Sequence, residues 1–339
     1  MTVPPSTSSP STAHPVNRRT ALRLLGAAAV GGVTLSVAAG IAPVPALGAA
    51  PAGKPRWFGH QPGKVYLGVS MPEDIATAEQ VTGQLGVQRT FFDWNDGDRE
   101  DRTVAADHAA GRLPWISFKP ASSSPGGWAA IACGEHDQAL RARARRYAAY
   151  RKCTLLTFHH EPTNDNTGTG AEWAAAYLHS RAIIRDEIGR SNIRFVPIIG
   201  DWAFNPRNGD ANAGEFLTPD VLDHCAFVGV DCYQNASLEG FDNRLGRIVE
   251  FLDRQGFPKK MLGIGETGST DYYGVPGAAE WWTRQWTWIE NNTDRVGVVS
   301  YFNSGRNSRD GVYWPLDEST QKMSRFRDSN QSLTSTRLA

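Results

Sequence analysis

Eight short apolar segments alternate with helical stretches between residues 65 and 325. This alternation predicts an α/β fold, a (β/α)8 TIM barrel formed as a single domain. The segments are nearly continuous in Val, Ile, Leu and Phe, as strands buried on both faces of a parallel sheet require. A doubly wound sheet is the alternative, but no glycine-rich phosphate loop follows the first segment, which disfavours it.

Each apolar segment ends in polar or aromatic residues. In a (β/α)8 barrel the carboxyl ends of the strands surround the active site, so these closing residues are the first candidates for chemistry. In chain order the segments cover residues 65–71, 87–94, 113–120, 153–162, 193–202, 225–234, 261–269 and 296–304.

Helical periodicity between the segments supports the same fold. Two stretches each place apolar residues on one helical face. These residues are Ile75, Ala78, Val81 and Leu85 in the first stretch, and Leu245, Ile248, Val249 and Leu252 in the second. A third stretch is rich in tryptophans, which we expect to pack against strands: Trp281, Trp282, Trp286 and Trp288.

Residues 1–48 have the pattern of a twin-arginine signal peptide. Arg18 and Arg19 precede a weakly apolar run that ends in proline and small residues. An uncleaved membrane anchor is the alternative, although the Gly and Ala content makes the run a poor anchor. We therefore expect a secreted or extracytoplasmic protein, exported by the twin-arginine route, without stable membrane insertion after signal cleavage.

After this signal we expect an N-terminal linker over residues 49–64, the barrel over 65–325 and a C-terminal tail over 326–339. Lys and Arg total 35, as do Asp and Glu, so the charge balance does not favour nucleic-acid binding. The four cysteines form no CxxC pattern, which favours buried free thiols over a zinc or redox motif. We expect a monomer.

Two glutamates close the fourth and seventh segments, which lie across the mouth of the predicted barrel from each other. They are Glu161 and Glu266. Two carboxyl groups facing across a cleft can hydrolyse a glycosidic bond, one as the protonated acid and the other as the ionised nucleophile. We assign Glu161 as acid/base and Glu266 as nucleophile. No cofactor is required.

Two neighbours support this pair. His160 can donate a hydrogen bond to a sugar hydroxyl or a carboxylate, and Tyr233 is placed to donate its phenol to Glu266. Pro162 predicts an extended backbone at Glu161. His159 and His160 suggest a metal-dependent hydrolase as one alternative. Adjacent strand residues point to opposite faces, however, and HExxH is absent, so we expect no metal site.

Further residues near the strand ends are candidates for substrate binding, because aromatic rings stack on the apolar faces of sugars. The tryptophans among them can equally serve as rim packing, and the aspartate can be an ion-pair partner. These candidates are Trp94, Trp202, Asp231, Tyr301 and Trp314.

The fourth segment, "FHHEPTND", resembles glycoside hydrolase family 26, the β-mannanase family of clan A, in having His160 before Glu161. "FVGVDCYQ" with Tyr233, "IGETGS" with Glu266, and "VSYFNS" resemble later strands of that family. The resemblance implies a retaining β-glycanase with Glu161 as acid/base and Glu266 as nucleophile. The loop after Glu161 departs from the family, and Tyr301 stands where the clan often has tryptophan.

The sequence therefore predicts an exported retaining glycoside hydrolase that cleaves internal β-linkages of a polysaccharide by double displacement. The family resemblance makes β-mannan the first expected substrate, with β-xylan and β-glucan as alternatives. A non-catalytic glycan-binding barrel, associated with cell wall or exopolysaccharide, is the competing interpretation. Binding alone requires neither glutamate, which favours the enzyme.

Overall fold

The structure is a computed structural model. It describes residues 54–70, 75–119, 127–164, 168–189, 192–208, 212–237, 239–305 and 311–339. The predicted signal peptide lies outside these residues, so export stays a prediction. Within the described residues, no helix is long and apolar enough to cross a membrane.

In the described residues, nine strands form one parallel sheet. All nine fall within the eight predicted segments, since the fifth segment contains two strands and each of the others contains one. They are β1 Tyr66–Ser70, β2 Val87–Asp93, β3 Leu113–Lys119, β4 Thr154–Phe158, β5 Ile193–Phe195, β6 Ile198–Gly200, β7 Val228–Asp231, β8 Leu262–Thr267 and β9 Val296–Phe302. The sheet order is β5-β4-β3-β2-β1-β9-β8-β7-β6.

The fifth predicted segment forms both edges of this sheet. Pro197 lacks a backbone N–H and interrupts the strand between β5 and β6. β5 pairs with β4, whereas β6 pairs with β7. Because β5 and β6 are consecutive parts of one chain segment, the sheet closes on itself. The predicted (β/α)8 barrel is confirmed.

Helices cover the outside of the barrel. The longer ones are α1 Ile75–Thr82, α2 Gly97–Ala109, α4 Asp137–Tyr147, α5 Gly170–Ile188, α8 Phe241–Arg254, α9 Ala278–Glu290 and α10 Thr320–Asn330. The described residues also contain three shorter α-helices: α3 Gly127–Ala132, α6 Ala213–Phe216 and α7 Pro219–His224. The fifth predicted segment is followed only by the short helices α6 and α7.

The barrel has two apolar cores, one enclosed by the strands and one between the strands and the helices. The inner core gathers side chains from several strands, among them Tyr66, Trp115 and Phe227. A Cβ on Gly263 would come within 2.4 Å of the Phe227 ring, so the inner core requires glycine there. The outer core packs the other face of the strands against the helices. This alternation decides which strand residues reach the central cleft.

The described residues that flank the predicted barrel on both sides pack with it. Trp57, in the predicted linker, belongs to the inner core. A boundary at residue 325 would cut α10, and Phe326 is fully buried. Val65 donates to the Thr334 carbonyl at 2.9 Å and accepts from Thr336 at 2.9 Å. The described barrel therefore includes residues that the sequence assigns to a linker and a tail.

Two predictions of burial are wrong at single residues. The sequence places Val81 on the buried face of its helix, but its side chain is 44% exposed. In α1, the buried residues are Ala78 and Thr82, and Val81 lies in the last turn beside this narrow face. Cys133 is an exposed free thiol, whereas the other three cysteines are buried and free. The predicted packing of the third stretch is confirmed, since Trp281, Trp282 and Trp286 of α9 lie in the outer core.

Candidate active site

The chain leaves β4 through a strained turn that delivers Glu161. The φ angles are 43° at His159 and 47° at Glu161, in the region that non-glycine residues rarely adopt. The predicted extended backbone at Glu161 is therefore wrong. The Glu161 N–H donates to the Ile198 carbonyl at 3.0 Å, which holds the turn against β6. Such strain concentrates at functional sites.

The turn sends the two histidines to opposite sides of the sheet, as predicted. His159 faces the helices, and its Nδ1 accepts a hydrogen bond from the Trp128 indole at 2.9 Å. His160 faces the cleft, with its ring 4.8 Å from that of Phe91. Among the described residues, no group of His, Cys, Asp and Glu side chains is arranged to hold a metal ion.

His160 is uncharged in this setting. Burial lowers its pKa well below the usual range, and the positive charges of Arg89 and Lys119 lower it further. Its buried Nδ1 has no hydrogen-bond partner in the described part of the chain. A neutral imidazole with an unpaired nitrogen can exchange a hydrogen bond with a sugar hydroxyl.

Glu266 reaches the cleft through an irregularity in β8. Val230 and Asp231 of β7 pair with Ile264 and Glu266, so Gly265 is an extra residue in the ladder. Strict alternation would turn one of the two neighbours, Gly265 and Glu266, away from the cleft. The bulge allows both to face it.

The Glu266 carboxylate lies among donors. The Tyr233 hydroxyl donates to Oε2 at 2.6 Å, and the Ser70 hydroxyl donates to Oε1 at 3.2 Å. The Arg89 guanidinium approaches Oε1 to 3.9 Å. Burial and the charge of Glu266 raise the pKa of Tyr233 well above its usual range, so Tyr233 stays a donor. The predicted contact between Tyr233 and Glu266 is present.

Glu161 has the opposite environment. Burial raises its pKa to about 7, with repulsion from Glu266 adding to the effect, although Arg89 and Lys119 act against it. A hydrogen bond from the Asn164 side chain also lowers its pKa. One carboxyl group therefore keeps its proton near neutral pH while the other is surrounded by donors. This asymmetry is what an acid and a nucleophile need.

Arg89 is a central residue that the sequence prediction missed. It lies in the middle of β2, fully buried, and its Nη1 is 3.1 Å from Oδ1 of Asp231. Burial works against its charge, but Asp231 and then Glu266 raise its pKa. The signal in the sequence was a lone arginine on the inward face of an apolar strand, where a charge needs a partner.

An open cleft of about 740 Å³ begins at Glu161 and extends over the ends of β6 and β7. Its walls carry Trp202, Asn205 and Asn243. Trp202 lies over Gly200, since a Cβ there would be 2.7 Å from the indole nitrogen and 3.7 Å from Glu161 Oε1. An aromatic ring beside the acid, with amides around it, suits a polysaccharide chain.

The other aromatic candidates divide into two groups. Trp314 lies near Glu266, with its ring 5.0 Å from that of Tyr233, which donates to Glu266. Trp94 lies away from the carboxyl pair, in a separate cavity beside α2 and α4, where it packs against Phe118. The structure therefore brings Trp202 and Trp314 to the site but not Trp94.

Two predicted substrate contacts lie beneath the cleft surface. Tyr301 is fully buried, and its hydroxyl donates to the Trp314 carbonyl at 3.0 Å. The Asp231 side chain is fully buried in its pair with Arg89. Tyr301 belongs to the outer core because alternation along β9 turns it toward the helices, whereas Phe302 turns inward to Tyr233 at 5.9 Å. Direct sugar contact by Tyr301 or Asp231 is thus not supported.

Solved structures share this fold. They include an endo-β-1,4-mannanase double mutant from Cellulomonas fimi, with 18% identity, 81% of this chain and 72% of that chain covered, and a TM-score of 0.58. An endo-β-1,4-glucanase from Xanthomonas axonopodis pv. citri has 14% identity, coverages of 80% and 99%, and a TM-score of 0.55. GH26C from a Muricauda species has 12% identity, coverages of 81% and 87%, and a TM-score of 0.55.

The TM-scores of 0.58, 0.55 and 0.55 show that this chain shares a fold with glycoside hydrolases. No protein-family model matches this chain, and a search of curated proteins finds no relative. Membership of family 26 therefore stays a prediction.

Proposed function

We propose that this protein is a retaining glycoside hydrolase that cleaves internal β-linkages of a polysaccharide, with β-mannan as the first expected substrate. The observation that carries the proposal is the unequal environment of the two carboxyl groups. Glu161 has a pKa of about 7, and Glu266 accepts hydrogen bonds from Tyr233 and Ser70. The open cleft and the fold shared with a mannanase and a glucanase support a polymeric substrate.

The reaction proceeds in two displacements. In the first, Glu161 donates its proton to the glycosidic oxygen while Glu266 attacks the anomeric carbon. The leaving sugar departs as an alcohol, and a glycosyl ester forms on Glu266. In the second, ionised Glu161 accepts a proton from water, whose oxygen attacks the same carbon. The ester bond breaks and both carboxyl groups return to their starting states.

The arrangement around Glu266 assists this chemistry. Tyr233 and Ser70 each donate to one carboxylate oxygen of Glu266 and so fix its orientation. The Arg89 guanidinium lies 3.9 Å from this carboxylate and supplies a fixed positive charge. His160 lies on the other side of the cleft, beside the acid, where its unpaired nitrogen can bind a hydroxyl of the sugar. These groups are in place before substrate binds, so they require little reorganisation during reaction.

Removal of each carboxyl group in turn tests the two roles. An activated aryl β-glycoside has a good leaving group, so Glu161→Ala should still form the glycosyl enzyme. Added azide should then accelerate turnover and give a β-glycosyl azide. Glu266→Ala cannot form that ester, and azide should give only the α product. Anomeric configuration is read by NMR of the isolated azides.

Glu250→Ala is the matched control, because Glu250 is an exposed helix residue outside the cleft. It should keep wild-type turnover and should not respond to azide. Exchange of the two azide products between the variants would reverse the assignments. Absence of turnover by the wild type on every β-glycan and aryl glycoside would instead favour a non-catalytic glycan-binding barrel.

A further inference from the structure

A buried ion pair lies behind the wall of the cleft, between the end of β6 and helix α8. Arg244 is 4% exposed and Asp201 is 6% exposed. Arg244 donates from Nε to Asp201 Oδ2 at 2.6 Å and from Nη2 to Asp201 Oδ1 at 2.7 Å. Two parallel hydrogen bonds fix the plane of the guanidinium group as well as compensating its charge. The two-displacement reaction proposed for Glu161 and Glu266 uses neither residue directly.

The periodicity of α8 explains why Arg244 is buried. It lies on the buried face of this helix together with Phe241, Leu245 and Ile248. A charge on an apolar face requires a buried partner. Asp201 is in place to be that partner because it follows β6 directly, at the end of the barrel that carries the cleft. The ion pair therefore joins the outer layer of helices to the rim of the cleft.

The third guanidinium nitrogen of Arg244 binds the backbone of Tyr233. Nη1 donates to the Tyr233 carbonyl. The ladder between β6 and β7 ends where Gly200 pairs with Asp231, because the chain after Gly200 forms a helical turn, Asp201–Phe204. Backbone groups of alternate residues face the same neighbouring strand, so the Tyr233 carbonyl points to the side where β6 has ended. Arg244 supplies the donor that a longer β6 would have provided.

The opposite edge of this segment is bound to β8 and the residues that follow it. The Cys232 N–H donates to the Glu266 carbonyl at 2.8 Å, and the Gln234 N–H donates to the Gly268 carbonyl at 2.9 Å. Tyr233 lies between these two residues, and its hydroxyl donates to Glu266 Oε2 at 2.6 Å. The backbone of Tyr233 is thus held by β8 on one edge and by the ion pair on the other.

We propose that the ion pair of Arg244 and Asp201 positions Tyr233, so that its hydroxyl stays in hydrogen-bond contact with Glu266. The inference rests on the proposed function, since it gives the pair a part in formation of the glycosyl ester. Any rotation of the Tyr233 backbone displaces the phenol, and the strength of a hydrogen bond depends steeply on distance and angle. Arginine is required because a single ammonium group cannot reproduce the planar arrangement of its three donors.

A trapping reaction isolates the step in which Glu266 attacks. The reagent is a deoxyfluoro glycosyl fluoride of the mannobiosyl or cellobiosyl type. Its anomeric C–F bond breaks as the ester to Glu266 forms, and fluoride leaves without needing a proton from Glu161. The fluorine on the neighbouring carbon slows hydrolysis of the ester, so labelled enzyme accumulates. Mass spectrometry gives the labelled fraction, and time courses at several concentrations give the apparent affinity and the rate constant separately.

Arg244→Lys keeps a positive charge beside Asp201 but cannot form all three contacts. Its labelling rate constant should fall about tenfold, with the apparent affinity within about twofold of wild type and the final labelled fraction unchanged. In the Tyr233→Phe background, the same substitution should change the rate constant by less than about twofold, because the hydroxyl through which the pair acts is already absent. A folding defect would instead lower the labelled fraction in both backgrounds.

Arg254→Lys is the matched control, because Arg254 is exposed on the same helix. It should be labelled at the rate of its parent protein in both backgrounds. Equal losses from Arg244→Lys with and without the Tyr233 hydroxyl would overturn the positioning role, and so would a wild-type rate in Arg244→Lys. Failure of the wild type to be labelled by any such reagent would reject the glycosidase function itself, and the positioning role with it.

A second variant keeps the test decisive if Arg244→Lys does not fold, which thermal unfolding shows. Asp201→Asn has the same shape and retains one acceptor oxygen for Arg244. Its loss in the labelling rate constant should be smaller, about threefold, and should disappear in the Tyr233→Phe background. A loss that persists in that background would show that the pair does not act through Tyr233.

Discussion

Two glutamates of the same chemistry acquire different properties from their neighbours. Glu161 lies on a turn where burial and a nearby carboxylate raise its pKa to about 7. Glu266 lies on a bulged strand beside two hydroxyl donors and an arginine. The difference arises from residues that lie on β1, β2 and β8 or directly after β4 and β7, so it depends on the closed barrel rather than on any local motif.

Tyr233→Phe is expected to reduce the rate of formation of the glycosyl enzyme. The change removes the 2.6 Å hydrogen bond to Glu266 while keeping the ring that packs against Trp314. Hydrogen bonds to charged groups contribute about 1.5–3 kcal/mol, which corresponds to a loss of about 10- to 100-fold in kcat/KM. Steady-state and burst kinetics on an aryl glycoside measure this loss.

Tyr313→Phe is the control for Tyr233. Its hydroxyl is bonded to Asp317 at 3.1 Å on the exposed rim, away from Glu266. The variant should keep kcat/KM within about twofold, as surface changes usually do. Equal losses in both variants would show that the hydroxyl of Tyr233 has no particular part in the reaction.

The sequence predicts the identity of the carboxyl pair but not its full setting. Glu161, His160, Tyr233 and Glu266 could be found because strand ends form the active face of a barrel. The prediction that Tyr301 lies in the cleft used only its position at the end of a strand. It ignored the alternation of inward and outward side chains along β9, which turns Tyr301 toward the helices. Arg89 was missed because it lies inside a strand rather than at its end.

At the scale of elements, β8 shows how one extra residue directs the Glu266 side chain into the cleft. Gly265 adds a residue to the ladder, so Glu266 faces the cleft and Thr267 faces α9, where its hydroxyl accepts from Gln285 at 2.7 Å. A Cβ on Gly265 would lie 2.5 Å from Asp231 Oδ1 and closer still to the Arg89 guanidinium. The bulge therefore requires glycine for space.

Gly265→Ala should lower the free energy of unfolding by about 3 kcal/mol, because overpacking and disturbance of a buried ion pair both contribute. Denaturant unfolding measures the change. Activity should fall with it, since Arg89 and Asp231 lie directly below Glu266. Gly246→Ala on α8 is the control, with nothing within 4 Å of the added Cβ. It should raise stability by about 1 kcal/mol, and equal destabilisation of both variants would contradict the steric explanation.

Strands and helices could be predicted where the apolar pattern of the sequence is enough to identify them. Continuous apolar segments identify the strands, and helical periodicity identifies α1 and α8. The split of the fifth strand at Pro197 and the bulge at Gly265 each depend on one residue in a tertiary setting. Such local irregularities leave no periodic signal, so sequence pattern could not reveal them.

At the scale of the whole molecule, the carboxyl ends of β4 and β8 bring Glu161 and Glu266 to one end of the barrel. The segments that flank the barrel contribute to its closure, since Val65 bonds to both Thr334 and Thr336. Stability of the barrel and geometry of the cleft are therefore linked, because the same strands serve both.

The raised pKa of Glu161 makes the stability of the folded protein depend on pH. Glu161 has a pKa of about 7 in the folded protein and an ordinary value of 4.5, so the folded state binds its proton more tightly. Its contribution to stability is fully present below about pH 4.5. The protein loses this contribution as pH rises from about 4.5 through about 7. At higher pH, Glu161 is ionised in both states and its effect on stability no longer changes with pH.

Glu161→Gln should therefore stabilise the protein at alkaline pH but not at acidic pH. Glutamine resembles the protonated acid and carries no charge to bury, so the free energy of unfolding should rise by on the order of 2 kcal/mol at pH 8.5. At about pH 4 the variant and the wild type should have nearly equal stability, since both carry a neutral group. Denaturant unfolding across this range measures the difference, with exposed Glu250→Gln as the control. A gain that does not depend on pH would show that packing rather than ionisation of Glu161 is responsible.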